Sequence, residues 1–307
     1  MKNLDSCEFI PFAEEYVSHI VGKTEYVRNI RNMLYRLKRF EKQHNSKLLT
    51  NSFTEEIANS FIYFLKTDKP IYYRKHGLKA TTINAYLRKL GHLLKKAKHA
   101  GYSIHPYTIR RISEDLPEPV YLSVNELRKI QALKLSRVSS EIRDMFLMGC
   151  YTGLRYSDYS RLTDYNFASD EIIIRTQKTG EKVVIPMHPV VQEIAERYHY
   201  CPPALRSKQS FNYSIKRICK KAGINAAIVQ EYVAGTELIK NKLEKWQVIS
   251  SHTARRSFAT NAYLAGIPVF RIMLITGHRT EEAFFRYIRI GKAENARELS
   301  QHPFFTE

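Results

Sequence analysis

Between Ile104 and Val120 the helical periodicity of this chain lapses, and Pro106, Pro117 and Pro119 stand in the gap beside an acidic Ser-Glu-Asp run. Proline fixes φ and biases the residue before it away from the helix, so a long helix is not expected to cross this stretch. The chain therefore reads as two parts, and 307 residues allow each a core of its own. The boundaries read as a helical domain over 1–104, a linker over 105–119 and a second domain over 120–307. Immediately after the gap, Ser123-Val-Asn-Glu126 has the spacing of a capping box that opens a helix.

The first part carries helical stripes. From Tyr26 to Gln43, Val27, Ile30, Leu34, Leu37 and Phe40 fall on one face, with Arg28, Arg31, Arg36, Lys38 and Arg39 mostly off it. Thr54 is placed to cap a helix running through Leu65, with Glu55 and Glu56 in its first turn. A further helix runs from Thr81 or Thr82 to Ala100, buries Ile83, Leu87, Leu90, Leu94 and Ala97, and stops at Gly101. Arg88, Lys95 and Lys96 lie around its remainder. Such a face is usually just solvated, and the competing reading is a surface that tracks phosphates.

Charge alone does not exclude the solvated reading, and the second half of the chain decides for the phosphate-tracking one. With 49 Lys+Arg against 30 Asp+Glu, the formal charge is +19, which favours a polyanionic partner over a small neutral ligand. Cys7, Cys150, Cys201 and Cys219 form no Cys-x-x-Cys pair, so neither a zinc site nor a disulfide framework is indicated. No apolar run approaches the ~20 residues that span a bilayer, and a soluble, cytoplasmic protein is expected.

The second part is mixed. Glu171–Thr176 and Lys182–Pro186 are β-branched runs around Gln-Lys-Thr-Gly-Glu, a hairpin signal. Helices follow over Ser210–Ala222, Ala254–Ala265, Pro268–Ile275 and Glu281–Ile288. The long connection from Gly223 to Trp246 has room for an extra hairpin.

Along this part stand Arg155 in Thr-Gly-Leu-Arg, Lys178 at the hairpin tip, His252 and Arg255 in His-x-x-Arg, His278 in Gly-His, and Tyr287. Singly each is commonplace: a surface arginine, a charged turn, a histidine that caps a helix, one tyrosine among 20. Together they meet the needs of phosphodiester cleavage without metal. Guanidinium forks at Arg155 and Arg255 grip two phosphoryl oxygens and keep their charge. A phenol with pKa ~10 costs roughly 4 kcal/mol to ionise at pH 7, so Tyr287 needs the arginines and His252 as general base. Lys178 is placed to protonate the leaving oxygen, and His278 to donate to a nonbridging oxygen. Asp158, close after Arg155, reads either as an orienter of this cluster or as an ordinary first-turn carboxylate. No two-metal carboxylate set and no Walker loop competes, so no cofactor is called for. Residues that cut DNA need a surface to hold it, which decides the basic helix faces for phosphate tracking.

At Tyr151-Thr-Gly-Leu-Arg-Tyr-Ser-Asp158, Gln177-Lys-Thr-Gly180, Ser251–Thr260 and Ile275–Tyr287 the chain resembles the tyrosine recombinase, or phage integrase, family. The wording of the last two is most like integrases of conjugative transposons and prophages. The resemblance implies a mainly α fold with a small β-hairpin: a helical core-binding domain and a mixed catalytic domain forming a C-shaped clamp on double-stranded DNA. It implies a 3′-phosphotyrosyl link through Tyr287, a Holliday junction and a homotetramer on two DNA sites. It leaves room for accessory DNA-bending or directionality factors, and sets Lys208, Asn212 and Lys216 in a region that approaches the major groove. It implies that Glu294–Phe305 docks on a neighbouring subunit, and, with no room before Phe9 for an arm-site domain, that the chain is either a simple recombinase without arm sites or a fragment of a longer integrase. Two alternatives share these features: a type IB topoisomerase-like relaxing enzyme, and a DNA-binding regulator without catalysis.

Overall fold

A computed structural model describes residues 5–22, 24–68, 76–113, 120–204, 207–285, 287–288, 296, 300 and 303–306. The chain divides into two compact units, Met1–Pro117 with Gln230–Asn241, and Glu118–Val229 with Lys242–Glu307.

The first unit is built on α1 (Phe9–Ser18), α2 (Thr24–His44), α3 (Glu55–Thr67) and α4 (Ala80–His99). The apolar stripes read from the sequence meet in one core, where Ile30, Leu34, Leu37, Phe40, Phe61, Ile83, Leu87 and Leu90 are buried. Thr54 caps α3 by accepting from the Ile57 amide at 3.3 Å. Arg36, expected off the apolar stripe of α2, is buried instead, with Nη1 2.5 Å from Asp68 Oδ2, and Arg39 Nη2 lies 2.6 Å from Asp68 Oδ1. A carboxylate at the end of α3 thus claims two arginines of α2.

The stretch after α4 keeps to this unit. Asn84 Nδ2 donates to the Ile112 carbonyl at 2.8 Å and Asn84 Oδ1 accepts from the Ile112 amide at 2.9 Å, while Ile109 and Ile112 pack on the core. The linker expected from residue 105 is held by its own apolar residues as far as Ile112, and its remainder, 114–119, lies outside the described residues.

The second unit contains α5 (Val124–Gln131), α6 (Arg137–Thr152), α7 (Tyr156–Tyr159), β1 (Phe167–Ala168), β2 (Glu171–Arg175) and β3 (Lys182–Pro186). It continues with α8 (Pro189–Arg197), α9 (Lys208–Lys221), α10 (Lys245–Val248), α11 (Ser251–Leu264), α12 (Val269–Thr276) and α13 (Glu281–Phe285), and the strands β4 (Ala227–Ala234) and β5 (Glu237–Glu244) lie in the chain between α9 and α10. The capping box at α5 forms, with Ser123 N donating to Glu126 Oε2 at 2.8 Å and Glu126 N to Ser123 Oγ at 3.3 Å. The α6 helix is buried on nearly every side and forms the centre of the unit against α8, α9 and α11. Strands β1–β2–β3 are antiparallel, with Ile172 opposite Ile185 and Ile174 opposite Val183, and these four side chains enter the core. The helix expected over Glu281–Ile288 is described over Glu281–Phe285, with Tyr287 in a turn.

The long connection does hold a hairpin, β4–β5, whose distal part, Gln230–Asn241, belongs to the first unit. Gly235 N donates to Leu78 O at 3.0 Å, and a Cβ on Gly77 would stand 1.6 Å from the Lys66 carbonyl oxygen. Only glycine fits so close a crossing of main chains. Of the expected Glu294–Phe305 segment, all but residues 296, 300 and 303–305 lie outside the described residues.

Candidate active site

Three helix ends converge. The α6 helix stops at Gly153, which takes the left-handed conformation at φ 69° and donates to Gly149 O at 3.1 Å. Buried Leu154 follows, then Arg155 as the residue that opens α7. The α11 helix starts beside them; Ser250 N donates to Thr253 Oγ1 at 3.0 Å, and Ser251 N to Asn212 Oδ1 at 2.7 Å. Its spacing sets His252 and Arg255 on one face. The α12 helix ends at Gly277 with φ 63°, and the Gly277 and His278 amides both donate to Met273 O, at 2.7 and 3.2 Å. That αL termination turns His278 back onto α11.

Arg255 is buried and held by main chain. Its Nη1 donates to the Gly153 carbonyl at 2.8 Å, its Nη2 donates to the Thr276 carbonyl, and His278 Nε2 lies 3.3 Å from Nη2. Tyr287 completes the cluster from the turn after α13. Its amide donates to Phe284 O at 2.7 Å and its carbonyl accepts from Thr260 Oγ1 of α11 at 3.3 Å, while Phe284 is buried against Ala259, Ala262 and Ile272. The Tyr287 ring lies 4.6 Å from the His278 ring and 5.2 Å from the His252 ring, and Arg255 Cζ stands 5.5 Å from its centroid.

This is an electropositive site. Desolvation, then the charges of Arg256, Arg255, Lys208 and Arg155, push the pKa of His252 down to about 4. His252 is an exposed residue, so solvent tempers the burial part of that shift. Burial, then Arg255, Arg155, His252 and Lys178, bring His278 down to about 3. Both imidazoles are therefore neutral at pH 7 and able to accept a proton. Arg255 is pushed down to about 10 by burial and by Arg155, and remains charged at neutral pH. Among the described residues, buried Arg155 Nη1 and Arg255 Nε have no hydrogen-bond partner. Buried donors on cations are rarely left so, and an anion is the group they fit.

Asp158 is fully buried, and its Oδ1 accepts from the Gln177 amide at 2.8 Å and stands 3.5 Å from Arg161 Nη2. The expected orienter of the arginine and histidine cluster thus bonds directly to the turn that carries Lys178. That turn is closed by Thr176 N to Glu181 O at 2.8 Å and Gly180 N to Thr176 O at 2.9 Å, with Lys178 exposed at its tip.

The structure thus gathers Arg155, His252, Arg255, His278 and Tyr287 in one cluster, with Lys178 near enough for its charge to act on His278. Of the residues expected to contact DNA, Lys208 is exposed at the start of α9 and its charge reaches His252, whereas Asn212 is engaged in capping α11. Lys216 is half-buried on α9. Arg88, Lys95 and Lys96 lie on α4 of the first unit, the first two exposed and Lys96 half-buried, 5.9 Å from the Tyr16 ring centroid. Sequence reasoning missed Thr276, whose one signal is a polar residue just ahead of Gly277-His278. Among the described residues no cluster of three or more His, Cys, Asp or Glu is arranged to hold a metal ion, and no helix is long and apolar enough to cross a membrane.

Two family models match the chain: the phage integrase SAM-like domain over residues 8–112, and the phage integrase family over residues 121–294. No curated protein matches it. Among solved structures it is similar to XerH site-specific recombinase bound to a palindromic difH substrate in a post-cleavage complex, at 14% identity over 90% of this chain and 79% of that one, with a TM-score of 0.64. It is similar to the Tn1549 transposon integrase in complex with circular intermediate DNA, at 17% identity over 97% and 100% of the two chains, with a TM-score of 0.62. A lambda integrase dimer bound to a COC′ core site gives 14% identity over 92% and 95%, with a TM-score of 0.63. These likenesses show a shared fold.

Proposed function

The chain belongs to the phage integrase family of tyrosine recombinases, and from that membership we propose that it is a site-specific DNA recombinase whose nucleophile is Tyr287. One observation carries the assignment: the Tyr287 ring lies against Arg255, His252 and His278, where two buried guanidinium donors have no partner among the described residues. A bridging phosphate would occupy those donors. Arg155 and Arg255 then neutralise the charge that develops on its nonbridging oxygens. The phenol attacks phosphorus, its proton passes to neutral His252, and the 5′ oxygen leaves with a proton from Lys178. A 3′-phosphotyrosyl bond forms as the phosphodiester breaks, so its energy is retained for religation. His278 completes the ring of residues around the phosphate, and Asp158 holds the Lys178 turn through Gln177.

We further propose a homotetramer on two double-stranded DNA sites, passing through a Holliday junction, with the C-terminal segment exchanged between subunits. In support, Phe270 and Leu274 leave one side of α12 apolar at 68% and 60% exposure, and Phe304 and Phe305 of the C-terminal segment are exposed as well. A neighbour's segment of that composition would cover such a face. The α4 cations Arg88, Lys95 and Lys96 are proposed to hold phosphates, Lys208 to act beside the site and Lys216 to contact DNA from α9.

The test is a nicked suicide duplex carrying a candidate site, incubated with the full chain in EDTA. We expect an SDS-resistant protein–DNA adduct that is absent in Tyr287→Phe although that variant binds the DNA equally well. An undiminished adduct in the variant would remove Tyr287 from its role. Relaxation of supercoiled DNA by a monomer without strand exchange would favour the topoisomerase reading.

A further inference from the structure

His278 is held at both ring nitrogens. Its Nδ1 lies 2.8 Å from the hydroxyl oxygen of Thr276, and its Nε2 lies 3.3 Å from Arg255 Nη2. Thr276, the last residue of α12, is fully buried, and its hydroxyl is also 2.8 Å from the Ile272 carbonyl oxygen. The carbonyl of the same threonine accepts from Arg255 Nη2. One side chain and one peptide group therefore hold a histidine and an arginine of the site together.

The protons in these contacts follow from counting. A hydroxyl has one hydrogen and a carbonyl oxygen none, so the contact with Ile272 takes the hydrogen of Thr276. The threonine oxygen then offers only lone pairs to His278, and Nδ1 must supply the hydrogen between them. At the other nitrogen a guanidinium always carries its hydrogens, so Nε2 must be a bare lone pair. The Nδ1–H tautomer satisfies all three contacts at once. The opposite tautomer sets N–H against N–H at Arg255 and lone pair against lone pair at Thr276.

We propose that Thr276 is a positioning residue that fixes neutral His278 as the Nδ1–H tautomer, so that Nε2 enters the phosphate site as an acceptor. In the free protein that acceptor orients Arg255. His278 becomes a donor to a phosphoryl oxygen, the role read from the sequence, only after taking up a proton from solvent as the phosphate binds, while the phenolic proton goes to His252. This inference rests on the reading of Tyr287 as nucleophile. Removing the group that orients a ligating histidine costs about 10- to 100-fold at metal centres, and a loss of that order is expected here.

The test uses the full chain labelled with ¹⁵N-histidine, without DNA, at neutral pH. Long-range ¹H–¹⁵N correlation, with His278→Gln to assign the signals, should show the hydrogen of His278 on Nδ1. Thr276→Val, nearly the same size, should shift it to Nε2 or a mixture, keep DNA binding and slow adduct formation on the suicide duplex about 10- to 100-fold. Thr276→Ser should restore both tautomer and rate. An Nε2–H tautomer in the parent overturns the proposal, as does a valine variant that cleaves at the parent rate. If the valine variant does not fold, the parent and serine spectra still decide. A parent protein that forms no adduct counts against the recombinase reading, while the tautomer still reports on Thr276.

Discussion

Arg255 Nη1 donates to the carbonyl of Gly153 at 2.8 Å, and Gly153 stands just ahead of Arg155 in the chain. One turn therefore places both guanidinium groups of the proposed phosphate clamp. A charge buried this deeply needs compensation, and here main-chain carbonyls of Gly153 and Thr276 supply it. Carbonyls orient the fork without neutralising it, and the charge of buried Asp158 adds to its compensation from a distance.

Gly153→Ala should damage fold and chemistry together. The position has φ 69°, and an added Cβ would stand 2.4 Å from the Phe258 ring. The left-handed conformation alone costs about 1–2 kcal/mol for a residue with a Cβ. The ring must also move, and with it the carbonyl that Arg255 grips. We expect a lower Tm by calorimetry and adduct formation slowed on the order of 100-fold, the penalty of small misplacement at a reacting centre. A variant with parental Tm and rate would show that the turn does not carry the clamp.

This turn illustrates what the sequence could carry. Helix stripes, caps and the order of Arg155, His252, Arg255, His278 and Tyr287 follow from periodicity and local chemistry, and the structure brings these five together. What stayed hidden depends on contacts far apart in the chain. Arg36 fell off the α2 stripe, and nothing local marks Asp68 as its partner. The bond of Asn212 Oδ1 to the Ser251 amide, which joins α9 to α11, had no local signal either. Asp158 lies beside Arg155 in sequence, yet its hydrogen bond runs to Gln177 in another turn.

That bond to Gln177 makes Lys178 testable by leaving-group chemistry. If Lys178 supplies the proton to the departing oxygen, Lys178→Ala should slow cleavage by about 10²–10⁴-fold, the usual contribution of a general acid. With sulfur in place of the bridging 5′ oxygen the leaving thiolate needs no proton, its conjugate acid having a pKa of ~8.5. The variant should then approach the parent rate. Asp158→Ala, which frees the turn, should show a partial rescue of the same kind. A Lys178→Ala defect equally large on the sulfur substrate would assign the lysine to phosphate binding instead.

The two histidines give stability a defined dependence on pH. Folding lowers the pKa of His252 to about 4 and of His278 to about 3, against about 6.5 when unfolded. Above pH 6.5 both are neutral in either state and nothing is lost. As pH falls below that, the unfolded chain takes up protons first, so stability declines progressively until the folded pKa values are reached. The Tm of the parent should drop between pH 7 and 4 more steeply than that of His278→Gln, which lacks one of these groups. Bound DNA, by placing a phosphate beside both rings, should flatten the decline. Equal slopes for parent and variant would mean that His278 titrates normally in the folded protein.

Salt should separate the arginines that hold DNA from those that hold the fold. Arg88 and Lys95 are exposed on α4, whereas Arg36 and Arg39 are bound to Asp68, Arg39 at 2.6 Å. A cation that neutralises a DNA phosphate releases counterions, and each such contact contributes about 0.9 to the slope of log K against log salt. The double variant Arg88→Ala/Lys95→Ala should therefore bind more weakly at low salt and with a slope smaller by roughly 2, if both residues contact phosphates. Arg39→Ala should leave the slope as it is and lower Tm instead, because its guanidinium is held on Asp68 by two hydrogen bonds, Nε at 3.2 Å and Nη2 at 2.6 Å. Titrations between 50 and 200 mM salt would read both variants side by side. A reduced slope for Arg39→Ala with an unchanged one for the α4 pair would move the DNA-holding surface from α4 to α2.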